Sequence, residues 1–370
     1  MTEKRLMSGN EAMAEAAIRA GCRCYFGYPI TPQNEVTAYM ARRMPEAGGV
    51  FIQSESELAA INMVLGASAA GCRSMTSSSS PGISLKQEGI SYIAAMELPA
   101  VIANIMRGGP GLGNIAPSQS DYFQAVKGGG HGDYRQIVLG PSTVQELVDL
   151  TVCSFDLADE YRMPVVILGD GLLGQMMEPV SMPGMRHVEI KEEEWVLSGC
   201  RGRAPRLLRS LILDPGDLAA HNLHLQEKYR RVAAREVRFE SVFTDDAELI
   251  VVAYGTPARV CRAAVAACRE KGIRAGLIRP ITLWPFPREE ISRLASQASH
   301  ILVVEMSHGQ MVEDVLLSAE FRVPVSFFGK AGGLTFHIDE VIRKMEKTNQ
   351  KSKIKNQKAK SKKQKHKSKP

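Results

Sequence analysis

The sequence predicts an α/β protein with two parallel-sheet units and a disordered, lysine-rich tail. From about residue 8 to 180, short apolar runs alternate with amphipathic or alanine-rich segments, and the rhythm resumes at Asp245. Such alternation is typical of parallel sheets covered by helices on both faces. The predicted divisions are an α/β unit at 1–180, an arginine-rich connecting segment at 181–244, a second α/β unit at 245–346 and the tail at 347–370.

Apolar runs and periodic segments locate the elements of the first unit. The predicted strands are 24–27, 50–53, 73–76, 99–106 and 164–170. The predicted helices are 10–20, 33–44, 56–70, 84–95 and 142–161. Thr31 is expected to cap the second of these helices, with Pro32 at its first helical position, where a missing N–H costs nothing.

The remaining elements follow from the same patterns. In the second unit the predicted strands are 249–255, 275–280, 300–305 and 323–328, and the predicted helices are 257–271, 287–296, 309–319 and 337–346. The connecting segment has little strand signal, and its main element is a long polar helix near 217–237.

Composition excludes several classes of protein. The 370 residues carry a net charge of +6, but the tail alone holds eleven lysines and no acid, so the rest of the chain sums to −5. No apolar run is long enough to cross a membrane, and no signal-peptide core follows the N-terminus, so a cytoplasmic location is expected. The seven cysteines form no Cys-x-x-Cys pair, so we expect no iron–sulfur cluster on this chain.

Two acids stand at the start of the predicted helix 56–70. Glu55 and Glu57 follow a short apolar run, at a junction where an α/β protein can aim a carboxylate into a cleft. The pattern Ser54-x-x-Glu57 is also a capping box, and acids in a first helical turn suit the helix dipole. Both interpretations stay open on these residues alone.

Polar motifs follow four predicted strands of the first unit at their carboxyl ends. They are Tyr28-Pro-Ile-Thr31-Pro, Glu55-Ser-Glu57, Thr76-Ser-Ser-Ser-Ser-Pro-Gly82 and Met106-Arg107-Gly-Gly-Pro-Gly-Leu-Gly113. Each has a structural explanation, as a helix cap, a flexible turn or tight backbone geometry. Because the carboxyl ends of parallel strands share one edge of a sheet, we expect the four loops to meet in one ligand-binding crevice.

Together these motifs resemble those of a known family. Gly27-Tyr-Pro-Ile-Thr-Pro32, the helix start from Gln53 to Met63, and Ser79-Ser-Pro-Gly-Ile-Ser-Leu85 are similar to the alpha-type subunit of 2-oxoacid:ferredoxin oxidoreductases. The resemblance runs from about Leu6 to Glu346. It implies a thiamine-diphosphate pyrimidine-binding unit followed by a transketolase C-terminal-type unit.

Three segments resemble the branched-chain branch of the family, which acts on 3-methyl-2-oxobutanoate. They are Thr31-Pro-Gln-Asn-Glu35, the stretch from Ser77 to Glu88, and Lys127-Gly-Gly-Gly-His-Gly-Asp-Tyr134. The resemblance implies oxidative decarboxylation of a 2-oxoacid to an acyl-CoA, with the electrons passed to ferredoxin. Sequence leaves 2-oxoglutarate, indolepyruvate and pyruvate open as substrates.

The resemblance implies thiamine diphosphate as the cofactor and Glu57 as a catalytic residue. In thiamine enzymes a carboxyl group bonded to N1′ of the aminopyrimidine promotes the imino tautomer that activates C2. The matching glutamate stands nine residues before a glycine, and Glu57 stands nine before Gly66. Glu55 keeps the structural interpretation, as a first-turn acid or an inter-subunit contact.

Other site residues are carried over from matching motifs. Thr31 and Arg107 match positions that hold the carboxylate of the 2-oxoacid, a task that suits a guanidinium fork and a hydroxyl donor. The remaining matches imply cofactor contacts for Pro29, Ile30, Ser79 and Ser80.

The resemblance also implies a site shared between subunits. Gly169-Asp-Gly171 looks like the start of the thiamine-diphosphate metal motif, but no asparagine follows it before Asn222. We therefore expect no metal ligand here. A beta-type subunit would hold the diphosphate and Mg²⁺, and gamma-type and ferredoxin-like delta-type subunits would complete the complex with its iron–sulfur clusters. His131 and His308 are weaker candidates for the interface.

Two functions from other classes remain possible on the sequence. A non-catalytic assembly subunit would use Glu57 only as a helix cap. A nucleic-acid binder would act through the lysine-rich tail, although such a tail binds without specificity. We expect neither specific nucleic-acid binding nor membrane association.

Overall fold

The computed structural model of the protein describes residues 4–186 and 193–351. The strands are β1 Lys4–Ser8, β2 Cys24–Gly27, β3 Val50–Gln53, β4 Ser74–Ser78, β5 Ala100–Met106, β6 Ile137–Leu139, β7 Pro164–Asp170, β8 Met177–Ser181, β9 Phe239–Val242, β10 Leu249–Val252, β11 Ala275–Pro280, β12 Thr282–Trp284, β13 His300–Glu305 and β14 Val325–Gly329.

Helices cover these strands. They are α1 Gly9–Arg19, α2 Asn34–Glu46, α3 Glu57–Ala69, α4 Pro81–Ala95, α5 Tyr122–Lys127, α6 Val144–Tyr161, α7 Gly171–Gln175, α8 Pro215–Arg235, α9 Gly255–Glu270, α10 Arg288–Gln297, α11 Met311–Ser318 and α12 338–351. Among these described segments, we find no helix with the length and apolar character needed to span a membrane.

The first sheet has seven strands in the order β12-β6-β7-β5-β4-β2-β3. Its strands from β6 to β3 pair in parallel, and β12 adds to β6 in the antiparallel direction. Strands β4, β5 and β7 are buried along their whole length, as expected of parallel strands with helices on both faces. Residues of α1, α2 and α6 pack on one face, and residues of α3, α4 and α5 pack on the other. The predicted α/β class is confirmed.

The second sheet has five strands in the order β14-β13-β10-β11-β9. Strands β14, β13, β10 and β11 are parallel, and β9 is antiparallel to β11. Strands β1 and β8 form a separate antiparallel pair. One strand links the two larger sheets, since β12 follows β11 in the chain but pairs with β6 in the first sheet.

Several strands are absent from the sequence-based prediction. These are β1, β6, β8, β9 and β12, each of three to five residues. All except β6 lie at a sheet edge or in the small pair, where burial is partial and the apolar pattern is weak. Strand β9 lies inside the segment that was expected to show little strand structure.

The predicted start of α2 was wrong. Gln33, not Thr31, occupies the N-cap, and its side chain makes no capping hydrogen bond. The backbone before the helix is held by distant side chains, because the Pro32 carbonyl accepts hydrogen bonds from Asn10 Nδ2 at 2.8 Å and Gln175 Nε2 at 2.9 Å. These tertiary contacts outweigh the local capping preference of Thr31.

The last helix extends further than predicted. Helix α12 continues to residue 351, so the first five residues of the segment predicted to be disordered are helical. Thr348 and Asn349 are buried, and the Thr348 hydroxyl donates to the Lys344 carbonyl at 2.8 Å. Packing of this last turn explains the difference. The rest of the predicted tail, 352–370, lies outside the described residues.

Candidate functional site

The four polar loops of the first unit meet at one edge of the first sheet. They follow β5, β4, β2 and β3, which are consecutive in the sheet and parallel to one another. We call this edge, formed by the carboxyl ends of those four strands, the carboxyl edge. The structure thus confirms the placement expected from the sequence, and ligands bind at such edges in open α/β sheets.

The two acids after β3 have different environments. Ser56 is the N-cap of α3, and its hydroxyl accepts a hydrogen bond from Ala59 N at 3.3 Å. The capping box of Ser54 with Glu57 was therefore wrong, and Glu55 precedes the helix, so it is not a first-turn acid either. Glu55 is exposed, whereas Glu57 is only 6% exposed. Because Ser56 does the capping, that role does not account for the burial of Glu57.

Helix α4 leaves a space for the Glu57 carboxylate. A Cβ atom added at Gly82 would lie 2.5 Å from Glu57 Oε1 and 2.1 Å from Ser78 Oγ. Real Cβ atoms do not approach other atoms so closely, so only glycine fits here with these neighbours in place. Gly82, the second residue of α4, thus leaves room for the buried carboxylate of Glu57, the first residue of α3.

The serine loop after β4 is held in an unusual backbone conformation. Ser80 has φ 30° and ψ −86°, outside the regions that non-glycine residues normally occupy. Its hydroxyl bonds to Asp121 Oδ2 at 2.6 Å, and its N–H donates to Asn104 Oδ1 at 3.0 Å. These contacts fix the strained residue, and strain of this kind clusters at functional sites.

Unsatisfied hydroxyls lie beside this loop. The Ser78 and Ser79 hydroxyls are buried and have no hydrogen-bond partner within the described part of the chain. Buried polar atoms without partners are uncommon in proteins. Burial also raises the pKa of the Asp121 carboxyl, and the hydrogen bonds from Ser80 and Asn104 oppose that rise. The carboxyl edge therefore has free polar atoms that a ligand could satisfy.

Arg107 joins two of the loops. Its guanidinium donates to the Thr31 carbonyl at 2.8 Å and to the Leu112 carbonyl at 3.1 Å. Its Nε is buried, with no partner in residues 4–186 or 193–351. The Thr31 hydroxyl accepts from Asn34 Nδ2 at 3.2 Å. The structure therefore brings Arg107 into contact with the backbone of Thr31, not with its hydroxyl. Two of the three guanidinium nitrogens donate to carbonyls, and Nε has no partner among the described residues.

The remaining candidates lie at the surface or serve other purposes. In the loop after β2, Pro29 is exposed and Ile30 is half-buried; His131 and His308 are exposed in other loops. Asp170 of Gly169-Asp-Gly171 caps α7, because its carboxylate accepts hydrogen bonds from the N–H groups of Leu172 and Leu173. Burial raises the pKa of Asp170. A carboxylate engaged in this way does not fit the role of a metal ligand.

A cavity of about 720 Å³ lies elsewhere, lined by residues of α5, α8, α10 and the segment 283–287. It shares no residue with the four loops of the carboxyl edge. The unpartnered atoms and the space at Gly82 favour the carboxyl edge over the cavity as the functional site.

Sequence reasoning missed several residues that build the site. Gln33 accepts a hydrogen bond from the Ser77 hydroxyl, Asn104 and Asp121 hold Ser80, and Lys86 contacts the start of α3. Asn104 did carry a signal, since it is a polar residue in the middle of an apolar strand. Asp121 lies in a polar loop, where one acid does not stand out.

Family models match nearly the whole chain. Residues 15–242 match the model described as pyruvate flavodoxin/ferredoxin oxidoreductase, thiamine diphosphate-binding. Residues 247–341 match the model for pyruvate:ferredoxin oxidoreductase core domain II. The first match contains all four loops of the carboxyl edge.

Named relatives give the same family. The ketoisovalerate oxidoreductase subunit VorB of Methanothermobacter thermautotrophicus is 50% identical over 93% of this chain and 97% of that protein. The 2-oxoglutarate synthase subunit KorA of the same organism is 38% identical over 95% of this chain and 100% of that protein.

Solved structures agree with these relatives. A 2-oxoglutarate:ferredoxin oxidoreductase from Magnetococcus marinus, with 2-oxoglutarate, coenzyme A and succinyl-CoA bound, matches 94% of this chain and 66% of that chain at a TM-score of 0.85 and 26% identity. A split-gene transketolase matches in fold alone, at a TM-score of 0.56 and 16% identity. The chain therefore belongs to the family of thiamine-diphosphate-dependent 2-oxoacid:ferredoxin oxidoreductases, as one subunit of a multi-subunit enzyme.

Proposed function

We propose that this chain supplies the pyrimidine side of the active site in a complex that oxidises 3-methyl-2-oxobutanoate (ketoisovalerate). The complex would release CO₂, form the branched acyl-CoA and pass two electrons to ferredoxin. The observation that carries the proposal is the buried carboxylate of Glu57 beside Gly82 at the carboxyl edge. The 50% identity to VorB supports the choice of substrate.

Glu57 would act on the aminopyrimidine of thiamine diphosphate. When bound, this cofactor supplies a nucleophilic carbon that attacks the carbonyl of the 2-oxoacid. A carboxylate hydrogen-bonded to N1′ stabilises a proton there, and a site shielded from water strengthens that interaction. Glu57 fits this task because its side chain is buried while α4 leaves room for it.

The serine loop and the loop after β2 would complete the cofactor pocket. We assign cofactor contacts to Ser79, Ser80, Pro29 and Ile30. The buried, unpartnered hydroxyl of Ser79 supports this assignment, because a ligand would satisfy it. The strained backbone of Ser80 supports it as well. Pro29 and Ile30 present apolar surface at the same edge.

Arg107 and Thr31 would bind the carboxylate of the 2-oxoacid. The free Nε of Arg107 and the Thr31 hydroxyl are both available for that interaction. The two backbone hydrogen bonds of Arg107 would hold its guanidinium in place before the substrate arrives. A charge-assisted hydrogen bond to the carboxylate contributes about 1.5–3 kcal/mol.

Exposed apolar side chains on the elements that meet at the site support a partner subunit. Ile52 near the end of β3 is 40% exposed, and Leu58 in the first turn of α3 is 46% exposed. Exposed apolar surface of this kind can mark protein interaction sites. We propose that a beta-type subunit covers this surface and holds the diphosphate and Mg²⁺. Gamma-type and ferredoxin-like delta-type subunits would carry the iron–sulfur clusters, with ferredoxin and coenzyme A as further partners.

We propose that the second domain begins at Asp245. The two family models meet between residues 242 and 247, which supports a domain boundary near Asp245. We propose that the lysine-rich tail takes no part in catalysis or in specific nucleic-acid binding, and that the complex works in the cytoplasm.

The substrate is tested on the complex co-purified from cells with its other subunits. We expect kcat/KM for 3-methyl-2-oxobutanoate to exceed that for 2-oxoglutarate, because the second carboxylate of 2-oxoglutarate needs a cation that a branched-chain pocket lacks. A buried charge without a partner costs several kcal/mol, so the expected preference is at least about 10²-fold. Ferredoxin reduction with each acid measures it, and indolepyruvate and pyruvate serve as comparisons.

A preference for 2-oxoglutarate is the second candidate outcome. The similarity to KorA and to the Magnetococcus marinus enzyme favours it. That result would overturn the branched-chain assignment and leave the assignment of Glu57 intact. Absence of activity with all four acids would overturn both.

A further inference from the structure

Lys86 is a buried amine for which the proposed function so far gives no role. It lies in α4, one helical turn after Gly82, and its side chain is 0% exposed. Lysine is rarely buried so completely, because transfer of an ammonium group out of water is costly. Its position calls for a specific explanation.

Lys86 is hydrogen-bonded to Glu57 and to Thr76. Nζ donates to the Glu57 carbonyl at 3.4 Å and to the Thr76 hydroxyl at 3.0 Å. The first of these contacts is with the first residue of α3, and the second is with β4 beneath it. Lys86 thus ties the first turn of α3 to α4 and to the sheet.

Helix α4 therefore meets Glu57 at two points. Gly82 leaves space for the carboxylate, and Lys86, four residues later on the same face, binds the carbonyl of the same residue. The positions of the Glu57 carboxylate and of the Glu57 carbonyl therefore both depend on α4.

Glu57 is also the charged neighbour of Lys86. Burial lowers the pKa of the Lys86 amine to about 7, and the Glu57 carboxylate acts in the opposite direction. The other element packed against the amine, β4, contributes the neutral Thr76 hydroxyl. The amine consequently changes its charge near neutral pH, next to the proposed catalytic carboxylate.

We propose that Lys86 is a positioning residue for Glu57: its hydrogen bond to the Glu57 carbonyl fixes the first turn of α3 and thereby the place of the carboxylate relative to N1′. The inference rests on the proposed role of Glu57. A reacting group misplaced by about 1 Å costs about 10²-fold in rate, so the loss of this contact should be visible in turnover.

Turnover of the co-purified complex tests this. In Lys86→Met we expect kcat to fall by about 10²-fold while KM for the 2-oxoacid stays within about twofold, because the first turn of α3 loses its hydrogen bond to α4 and the Glu57 carboxylate is misplaced. Thr76→Val is the matched control, since it removes the other hydrogen-bond partner of Lys86 and keeps the bond to the Glu57 carbonyl. Its loss of kcat should be much smaller. An unchanged kcat in Lys86→Met, or an equal loss in Thr76→Val, would overturn the inference.

Thermal stability gives a second measurement that does not depend on turnover. On unfolding, the Lys86 pKa returns from about 7 to its usual value near 10.5. Between these values the unfolded chain binds more protons at Lys86 than the folded chain, so this residue's contribution to stability rises with pH. The Tm of Lys86→Met relative to wild type should therefore be highest near pH 6 and fall as the pH approaches 10.

The same measurement works if Lys86→Met does not assemble. In Glu57→Gln the ammonium of Lys86 loses its stabilising carboxylate, so the rise of Tm with pH should begin at lower pH than in wild type. An identical pH dependence in the two proteins would contradict the coupling.

Failure of the inference is distinguishable from failure of the proposed function. An active Glu57→Gln complex would overturn the proposed function. An inactive Glu57→Gln complex, with wild-type kcat and a wild-type dependence of Tm on pH for Lys86→Met, would overturn only the role of Lys86.

Discussion

In the assembled complex, Glu57→Gln is expected to lower kcat for 2-oxoacid oxidation by roughly 10²–10⁴-fold, the range that one positioned acid or base contributes. The substitution keeps the shape of the side chain and removes its ability to exchange a proton with N1′. Because the Glu57 carboxylate occupies a space shaped by Gly82, a glutamine fits there without a cavity. Assembly should therefore be preserved, which size-exclusion chromatography of the complex checks.

Glu55→Gln is the matched control for this substitution. The same chemical change is made two residues earlier, on an exposed side chain that precedes α3. We expect activity within about twofold of wild type, because exposed substitutions have small effects. Equal activity of Glu57→Gln and Glu55→Gln would reduce Glu57 to a structural residue and favour a non-catalytic assembly subunit.

Gly82→Ala is expected to lower kcat by about 10²-fold, the cost of misplacing a reacting group by about 1 Å. The new methyl group would lie 2.5 Å from Glu57 Oε1 and 2.1 Å from Ser78 Oγ, so both side chains must move. The fold should tolerate the change, because alanine is favoured over glycine in a helix by about 1 kcal/mol and offsets part of the strain. Turnover and Tm of the same preparation separate the two effects.

Gly216→Ala controls for the change in helix propensity. Gly216 lies in the first turn of α8, it is exposed, and an added Cβ would approach only Asp214 Oδ1, at 3.1 Å. Its activity should stay at the wild-type level. If Gly82→Ala also kept full activity, the close approach of α4 to Glu57 would have no catalytic meaning.

Helices and strands were predicted well where residues close in the sequence determine them, and poorly where distant parts of the chain do. The long buried strands β5 and β7 were predicted closely, because a continuous apolar run is visible in the sequence itself. Strand β12 was missed because its three residues pair with β6, more than 140 positions earlier in the chain. The last turn of α12 was missed because the many lysines of this segment predict disorder, although Thr348 and Asn349 are buried.

The same contrast between nearby and distant residues applies to the site. Glu57 could be selected by the family resemblance, through its spacing to Gly66, and by its place after β3. The structure separates the two acids further, because Glu57 is buried and Glu55 is exposed. The cap of α3 was assigned to the wrong serine, since Ser54 and Ser56 are both good N-cap residues. Lys86 could not be selected, because a lysine in a helix normally lies at the surface. Its burial depends on Thr76 and on the position of α3, which only the tertiary structure shows.

We propose that this chain holds one half of a thiamine diphosphate site and that a partner subunit holds the other half. Calorimetric titration of thiamine diphosphate with Mg²⁺ into the isolated chain and into the co-purified complex distinguishes this shared site from a complete site on one chain. We expect saturable binding by the complex and affinity at least about 100-fold lower for the isolated chain, equivalent to the loss of about 2.7 kcal/mol. Equally tight binding by the isolated chain would contradict the shared site.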